Sequence, residues 1–175
     1  MSDKLKIEMQ IMQDNLCDLR KIAGWTAEVL AGKLGVTKQT ISNIENQKVK
    51  ISTIQYIAIR AVFECELASN PGNTTLRKVM GVLFQAVPPI YSSRKEDIRA
   101  AIISIASIAA AGLSGLQLHS SATALLAPLG NAAAQMSSSH AREPSLKWLQ
   151  HHLNCLDSND YQDTDITEED TNENN

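Results

Sequence analysis

Lys38, Gln39 and Asn43 stand close together in the chain, and all three are residue types that can read nucleic acid. The amide of Gln or Asn donates and accepts in one plane, so either can pair bidentately with adenine. A lysine ammonium can reach guanine or a phosphate. This chemistry needs a helix that turns the three side chains outward and keeps its apolar residues behind them. Ile41 and Ile44 supply the apolar side of such a helix.

The neighbouring residues predict how that helix is held. Thr26 can cap a helix running to about Leu34, and Gly35 then supplies a turn that tolerates positive φ. Thr37 can cap a second helix to about Asn46. Two helices meeting at a steep angle need a small residue at the crossing, and Ala31 fits that position. Leu30, Leu34, Val36, Ile41 and Ile44 are expected to close the small core. Lys38, Gln39, Thr40, Ser42 and Asn43 are left on the outer side, where the helix N-terminus can enter a major groove.

The pattern continues on both sides. Residues 5–22 carry Leu5, Ile7, Met9, Ile11, Met12, Leu16, Leu19 and Ile22, and Gly24 is placed to end that helix. Ser52 is expected to cap a fourth helix with Ile54, Ile57, Ala58, Ala61 and Val62 on its inner face. Asn70-Pro71-Gly72-Asn73 is a strong break and the expected end of the first domain. Beyond it a helix is expected near 75–86, stopped by Val87-Pro88-Pro89. Ser93-Arg94-Lys95-Glu96 has capping-box spacing and should start a long helix. The organisation expected is a base-reading domain over 1–69, a linker with a short helix over 70–92, a helical dimerisation or membrane-associating region over 93–156, and a disordered acidic tail over 157–175. Within 93–156, residues 121–136 form a small-residue segment interrupted by Pro128 and Asn131. Pro144 can open a last amphipathic helix with Leu146, Leu149, Leu153 and Leu156 inward.

Composition agrees with an all-α chain. Of 175 residues, 43% are apolar and only 4% aromatic, so the core must be aliphatic and Ala-rich, which favours helices over a β-sandwich. The net charge of −3 conceals an uneven distribution. Residues 1–149 hold all 16 Lys and Arg against 11 acids, whereas residues 150–175 hold eight acids and no base. A mildly basic body suits a nucleic-acid partner better than the overall charge suggests. Cys17, Cys65 and Cys155 are too scattered for a metal knuckle or a redox pair, and they read as reduced thiols of an intracellular protein. The polar N-terminus has no secretory pattern, so the expected location is cytoplasmic.

Residues 16–62 resemble the Cro/repressor-type (Xre-like) helix-turn-helix domain of phage repressors and bacterial regulators. The matching residues are Leu19-Arg20, Gly24, Thr26, Leu30-Ala31, Leu34-Gly35-Val36, Thr40-Ile41-Ser42 and Ile44-Glu45-Asn46. The resemblance implies a compact bundle of four or five helices that binds double-stranded DNA as a homodimer and regulates transcription, often as a repressor. By position, Lys38, Gln39 and Asn43 fall where members of the family touch base edges. Thr26, Thr37, Thr40, Ser42, Asn46, Lys48 and Lys50 fall near the DNA backbone, where contacts orient the protein without reading sequence. Arg20 and Glu45 fall where the family often has an ion pair. Five positions depart from the pattern: Ala27 replaces a phosphate-clamping Gln, Gln47 replaces the usual Gly after the third helix, Ile51 stands near a common Pro, and Ile22 and Ala23 replace charged residues at the end of the first helix. Residues 1–65 carry nine bases and seven acids, so electrostatic affinity from one copy is modest and dimerisation would compensate.

Residues 100–118 contain no charge and are long enough to span a bilayer, although their Ser, Gly and Gln make insertion marginal. Ala100, Ser104, Ser107, Ala111 and Ser114 form a heptad seam of small residues, beside Ile98, Ile102, Ile105 and Ile108. Such a seam lets helix backbones approach closely in water or in lipid. Three readings stay open: dimerisation, membrane association with the first domain kept on the cytoplasmic side, and packing within one chain. An alternative overall function follows from the second reading or from a co-encoded partner bound through residues 98–136: a membrane-tethered or antitoxin-like interaction protein.

No enzyme is expected, and no cofactor or metal. His151 and Cys155 have helical spacing for a shared ion, but two ligands are too few. His119 and His140 read as solvated. Ala111-Gly112 resembles the scissile pair of self-cleaving repressors, yet no base lysine stands in a suitable setting. Phosphate-binding loops, catalytic carboxylate pairs and nucleophile elbows do not occur. The acidic tail reads as a solvating end or as a competitor of DNA for the basic face.

Overall fold

The computed structural model describes residues 3–111 and residue 124. Among the described residues there are six α-helices and no strand: α1 Asp3–Ile22, α2 Ala27–Leu34, α3 Lys38–Glu45, α4 Thr53–Ser69, α5 Thr74–Gly81 and α6 Tyr91–Ala110. A π-type turn, Val82–Ala86, and a 3₁₀ turn, Pro88–Ile90, join the last two. The fold is all-α, as composition implies.

Local chemistry sets the helix ends. Thr26, Thr37 and Ser52 each accept a hydrogen bond from a backbone N–H of the first turn that follows, which satisfies a donor the helix itself cannot pair. Ser52 completes a capping box with Gln55. Gly24 and Gly35 take φ of 76° and 67°, and Gly35 closes α2 by donating to Ala31 and Gly32.

α1 runs through the centre of the bundle. Leu5, Ile11, Met12, Leu16, Leu19 and Ile22 are buried along it. So are Glu8, Gln13, Asp14 and Asn15, a polar inner row that apolar periodicity does not reveal. Each of these four finds a partner, as burial requires. The Glu8 carboxylate accepts from the Tyr56 hydroxyl at 2.7 Å and from Arg60 Nη1 at 3.0 Å. The Arg60 guanidinium also lies over the Phe84 ring, 4.7 Å from its centre. Gln13 Nε2 donates to the carbonyls of Ile44 and Val49, and its Oε1 accepts from Ile51 N–H. A proline at 51 could not make that last bond.

α4 buries a different face from the one expected. Tyr56, Ile59, Arg60, Phe63 and Leu67 point inward, and Ile54 is 77% exposed. The helix is apolar nearly all round, so spacing alone could not choose its phase. Phe63 stacks on Trp25 with ring centres 5.2 Å apart, worth about 0.5–1.5 kcal/mol beyond the area buried.

The stretch 70–92, expected to be a linker with a short helix, carries α5 and contributes core: Leu76, Val79, Met80, Val82, Leu83, Phe84, Val87 and Tyr91 are all buried. One apolar cluster runs from Leu5 to Ala106 across the Asn70–Asn73 turn. α6 packs along α1 and buries Ile98, Ala101, Ile102, Ile105 and Ala106. Its start also differs from expectation. The helix begins at Tyr91 and kinks at Arg94 (φ −127°, ψ 21°), while the Ser93 hydroxyl donates back to the Ile90 carbonyl, so no Ser93–Glu96 capping box forms. Tyr91 explains the early start, because its hydroxyl is anchored on Asp14 at 2.7 Å.

The small-residue seam lies on the outer side of α6. Ala100, Ser107 and Ala111 are exposed and Ser104 is half-buried, its hydroxyl bonded to the Ala100 carbonyl. Ile98, Ile102 and Ile105 make the inner contact instead. Among the described residues no helix is long and apolar enough to cross a membrane. Ser114, the rest of 112–118, the 121–136 segment, the helix expected after Pro144, His119, His140, His151, Cys155 and the acidic tail lie outside the described residues.

Candidate nucleic-acid interface

α2 and α3 pack together, with Leu30 and Ala31 of α2 and Ile41 and Ile44 of α3 buried. Leu34 is half-buried, but Val36 is 38% exposed and closes no core. Packing Ile41 and Ile44 inward turns the other face of α3 outward. Lys38 and Gln39 are exposed at its first turn, and Asn43 is half-buried one turn later.

All three candidate readers have partners within the chain. Lys38 forms an ion pair with Glu28 of α2 across the helix-turn-helix, with the two side chains 63% and 58% exposed. The Lys38 hydrogen bond, reinforced by the local backbone, draws the Glu28 carboxyl down to a pKa of about 2, so this acid stays ionised. Gln39 Nε2 donates to Asn43 Oδ1 at 2.8 Å, which aligns the two amides along one row. That row keeps the two N–H groups of Asn43 Nδ2 as donors and Gln39 Oε1 as an acceptor.

The backbone-contact candidates flank this row. The Thr26 and Thr37 hydroxyls cap α2 and α3, and Thr37 lies 3.0 Å from the Thr40 hydroxyl. Asn46 Nδ2 donates to the Ser42 carbonyl and hydroxyl. Lys48 and Lys50 are exposed on the turn that follows.

Behind the row two anchors hold α3. Arg20 grips Glu45 through two hydrogen bonds, Nε to Oε1 at 2.7 Å and Nη2 to Oε2 at 3.1 Å. Its Nη1 donates to the Trp25 carbonyl, so one guanidinium ties the end of α1 to the start of α2 and the end of α3. The Glu45 hydrogen bonds raise the Arg20 pKa despite burial. The fork geometry fixes orientation more than it adds stability.

The second anchor was not legible in the sequence. Gln47 stands just past α3 at φ 57°, a left-handed conformation costing a non-glycine residue about 1–2 kcal/mol. Its side chain offsets part of that strain by donating to Asp14 Oδ1 at 2.8 Å. Gln10 donates to the same oxygen at 2.9 Å. Tyr91 and Lys95 of α6 hold Oδ2 at 2.7 and 2.8 Å. Burial alone would push the Asp14 pKa up, but the hydrogen bonds from Lys95, Gln10 and Tyr91 outweigh it and keep the carboxyl below its ordinary range. The available signals were a Gln where the resembling family usually has Gly and a buried acid on the first helix, and nothing in sequence spacing joined them.

Among the described residues no group of acids, His and Cys is arranged to hold a metal ion. The geometry offers instead a rigid, outward row of amides with a cation at its N-terminal end. No curated protein and no solved structure matches the chain. Residues 18–81, from the second half of α1 to the end of α5, match the family model described as Helix-turn-helix. Over those residues the chain carries a Cro/repressor-type (Xre-like) helix-turn-helix domain, the unit that family uses in DNA-binding transcription regulators.

Proposed function

We propose that the protein is a sequence-specific, repressor-like transcriptional regulator that binds operator DNA through α3 as a homodimer in the cytoplasm. The observation that carries this reading is the outward row on α3: Gln39 aligned on Asn43, with Lys38 exposed beside it. In the major groove Gln39 and Asn43 exchange their mutual bond for contacts to adenine, and Lys38 leaves Glu28 for guanine or phosphate. Thr26, Thr37, Thr40, Ser42, Asn46, Lys48 and Lys50 set the register on the backbone. The second copy docks along the outer row of α6, Ala100, Ser104, Ser107 and Ala111. Two copies would address half-sites about 34 Å apart.

Selection of bound sequences from a random duplex library, using the full chain, tests this. The expected result is a palindromic motif. Gln39→Ala and Asn43→Ala should each cost about 1–3 kcal/mol of discrimination, measured as binding to the motif against a scrambled duplex. No enrichment would reject sequence-specific binding, and an asymmetric motif would reject the dimer.

Glu28 gives a second expected outcome. Its carboxylate neutralises Lys38 in the free protein and would face phosphates in the bound one. Glu28→Gln should tighten binding to scrambled DNA and steepen the dependence of log affinity on log salt by about 0.9, the contribution of one phosphate contact. An unchanged slope would remove Glu28 from the interface.

A further inference from the structure

We propose that Asp14 is a positioning residue for the recognition helix, and that it links the seating of α6 to the turn that ends α3. The two oxygens of this carboxylate divide the task. Oδ1 receives Gln10 and Gln47, and Oδ2 receives Tyr91 and Lys95. The Asp14 side chain is fully buried, so these four groups take the place of water.

The α3 side of the link leads directly to the reading row. Gln47 N–H donates to the Ile44 carbonyl, and Lys48 N–H donates to the Asn43 carbonyl at 2.9 Å. The turn therefore closes on the backbone of Asn43 itself. Its left-handed residue is a glutamine, which resists that conformation, so tethering the side chain helps the turn keep its shape. Gln13 clamps the same turn, but only to α1. Asp14 is the tether that also reaches α6. If Tyr91 and Lys95 withdraw, the carboxylate is free to rotate and the Gln47 bond loosens. The structure thereby couples the position of α6, which lies beyond the matched domain, to the exit of the recognition helix. The DNA arm of the test rests on the proposed function, whereas the tether does not.

The experiment compares four full-length proteins: the unaltered chain, Tyr91→Phe/Lys95→Met, Gln47→Gly, and all three changes together. Glycine adopts the left-handed turn without a tether, so it should uncouple the two sides. In the first background, Tyr91→Phe/Lys95→Met should speed amide exchange at Lys48 and Val49 about 10-fold beyond any change at Phe63 of α4, as expected for loss of a charge-assisted hydrogen bond. In the Gln47→Gly background the same pair should change it by less than about 2-fold. Affinity for the selected duplex should fall in parallel, and only where Gln47 is present. Exchange that rises equally at Phe63, or that rises regardless of Gln47→Gly, overturns the tether. A looser turn with unchanged DNA affinity overturns the positioning role. If the unaltered chain selects no duplex, the proposed function fails, and the exchange measurements still decide the link between α6 and the turn.

Discussion

Glu8→Ala is expected to destabilise the protein by about 3–5 kcal/mol, the usual effect of removing one partner from a buried ion pair. Glu8 and Arg60 are both almost fully buried, and the Tyr56 hydroxyl bonds the same carboxylate oxygen. The substitution leaves a guanidinium and a phenol facing the core without that acceptor. Burial already holds the Tyr56 pKa above its usual value, so the phenol cannot ionise to compensate. The measurement is the denaturant midpoint and slope at neutral pH. A second variant separates loss of the charge partner from loss of volume. Replacing the whole group at once, Glu8→Met with Tyr56→Phe and Arg60→Met, should recover most of the stability, because apolar side chains of similar volume avoid the desolvation cost. A triple variant as unstable as Glu8→Ala would mean that packing around the group matters more than its charges.

Ile59→Ala should cost about 2–5 kcal/mol, whereas Ile54→Ala should stay within about 0.5 kcal/mol of the unaltered chain. The two residues lie on the same helix and lose the same atoms. Ile59 is 1% exposed and sits in the core, and Ile54 is 77% exposed at the first turn of α4. The contrast measures which way α4 faces. Equal losses would mean that the helix is rotated from the orientation described, and would draw Tyr56 away from Glu8 with it.

This pair of isoleucines also marks where the sequence stopped being informative. The starts of α2, α3 and α4 and the glycine ends of α1 and α2 were legible because each depends on chemistry within a few residues: a Thr or Ser hydroxyl on a nearby N–H, a glycine at positive φ. The turn between α2 and α3 and the outward placement of Lys38 and Gln39 follow from those ends and from Ala31, Ile41 and Ile44 behind them. The phase of α4 was not legible, because an apolar ring around the helix leaves periodicity nothing to distinguish. The inner row of α1 was hidden for the opposite reason. Glu8, Gln13 and Asp14 look like solvent-facing positions, and apart from Lys4 and Gln10 their partners lie 31 or more residues away. Residues 98–106 show a third case. Spacing left open which side of α6 packs within the chain; isoleucine buries more apolar area than alanine or serine, so the isoleucine side reaches the core and the small-residue row is left outward.

The pairing of α1 with α6 has a consequence in time. α1 ends at Ile22, and α6 does not begin until Tyr91. A ribosome adding about 5–20 residues per second needs roughly 3–14 s to make the chain between them. During that interval the central helix has only the middle of the fold to pack on, and Asp14 can gather only Gln10 and Gln47. The nascent chain can therefore form both helices of the DNA-reading motif before it has the residues that brace the exit of the second one. A contact spanning so much sequence also carries a larger loop-closure cost than its neighbours. Synthesis order and loop entropy thus agree: of the described helices, α6 is the last to dock.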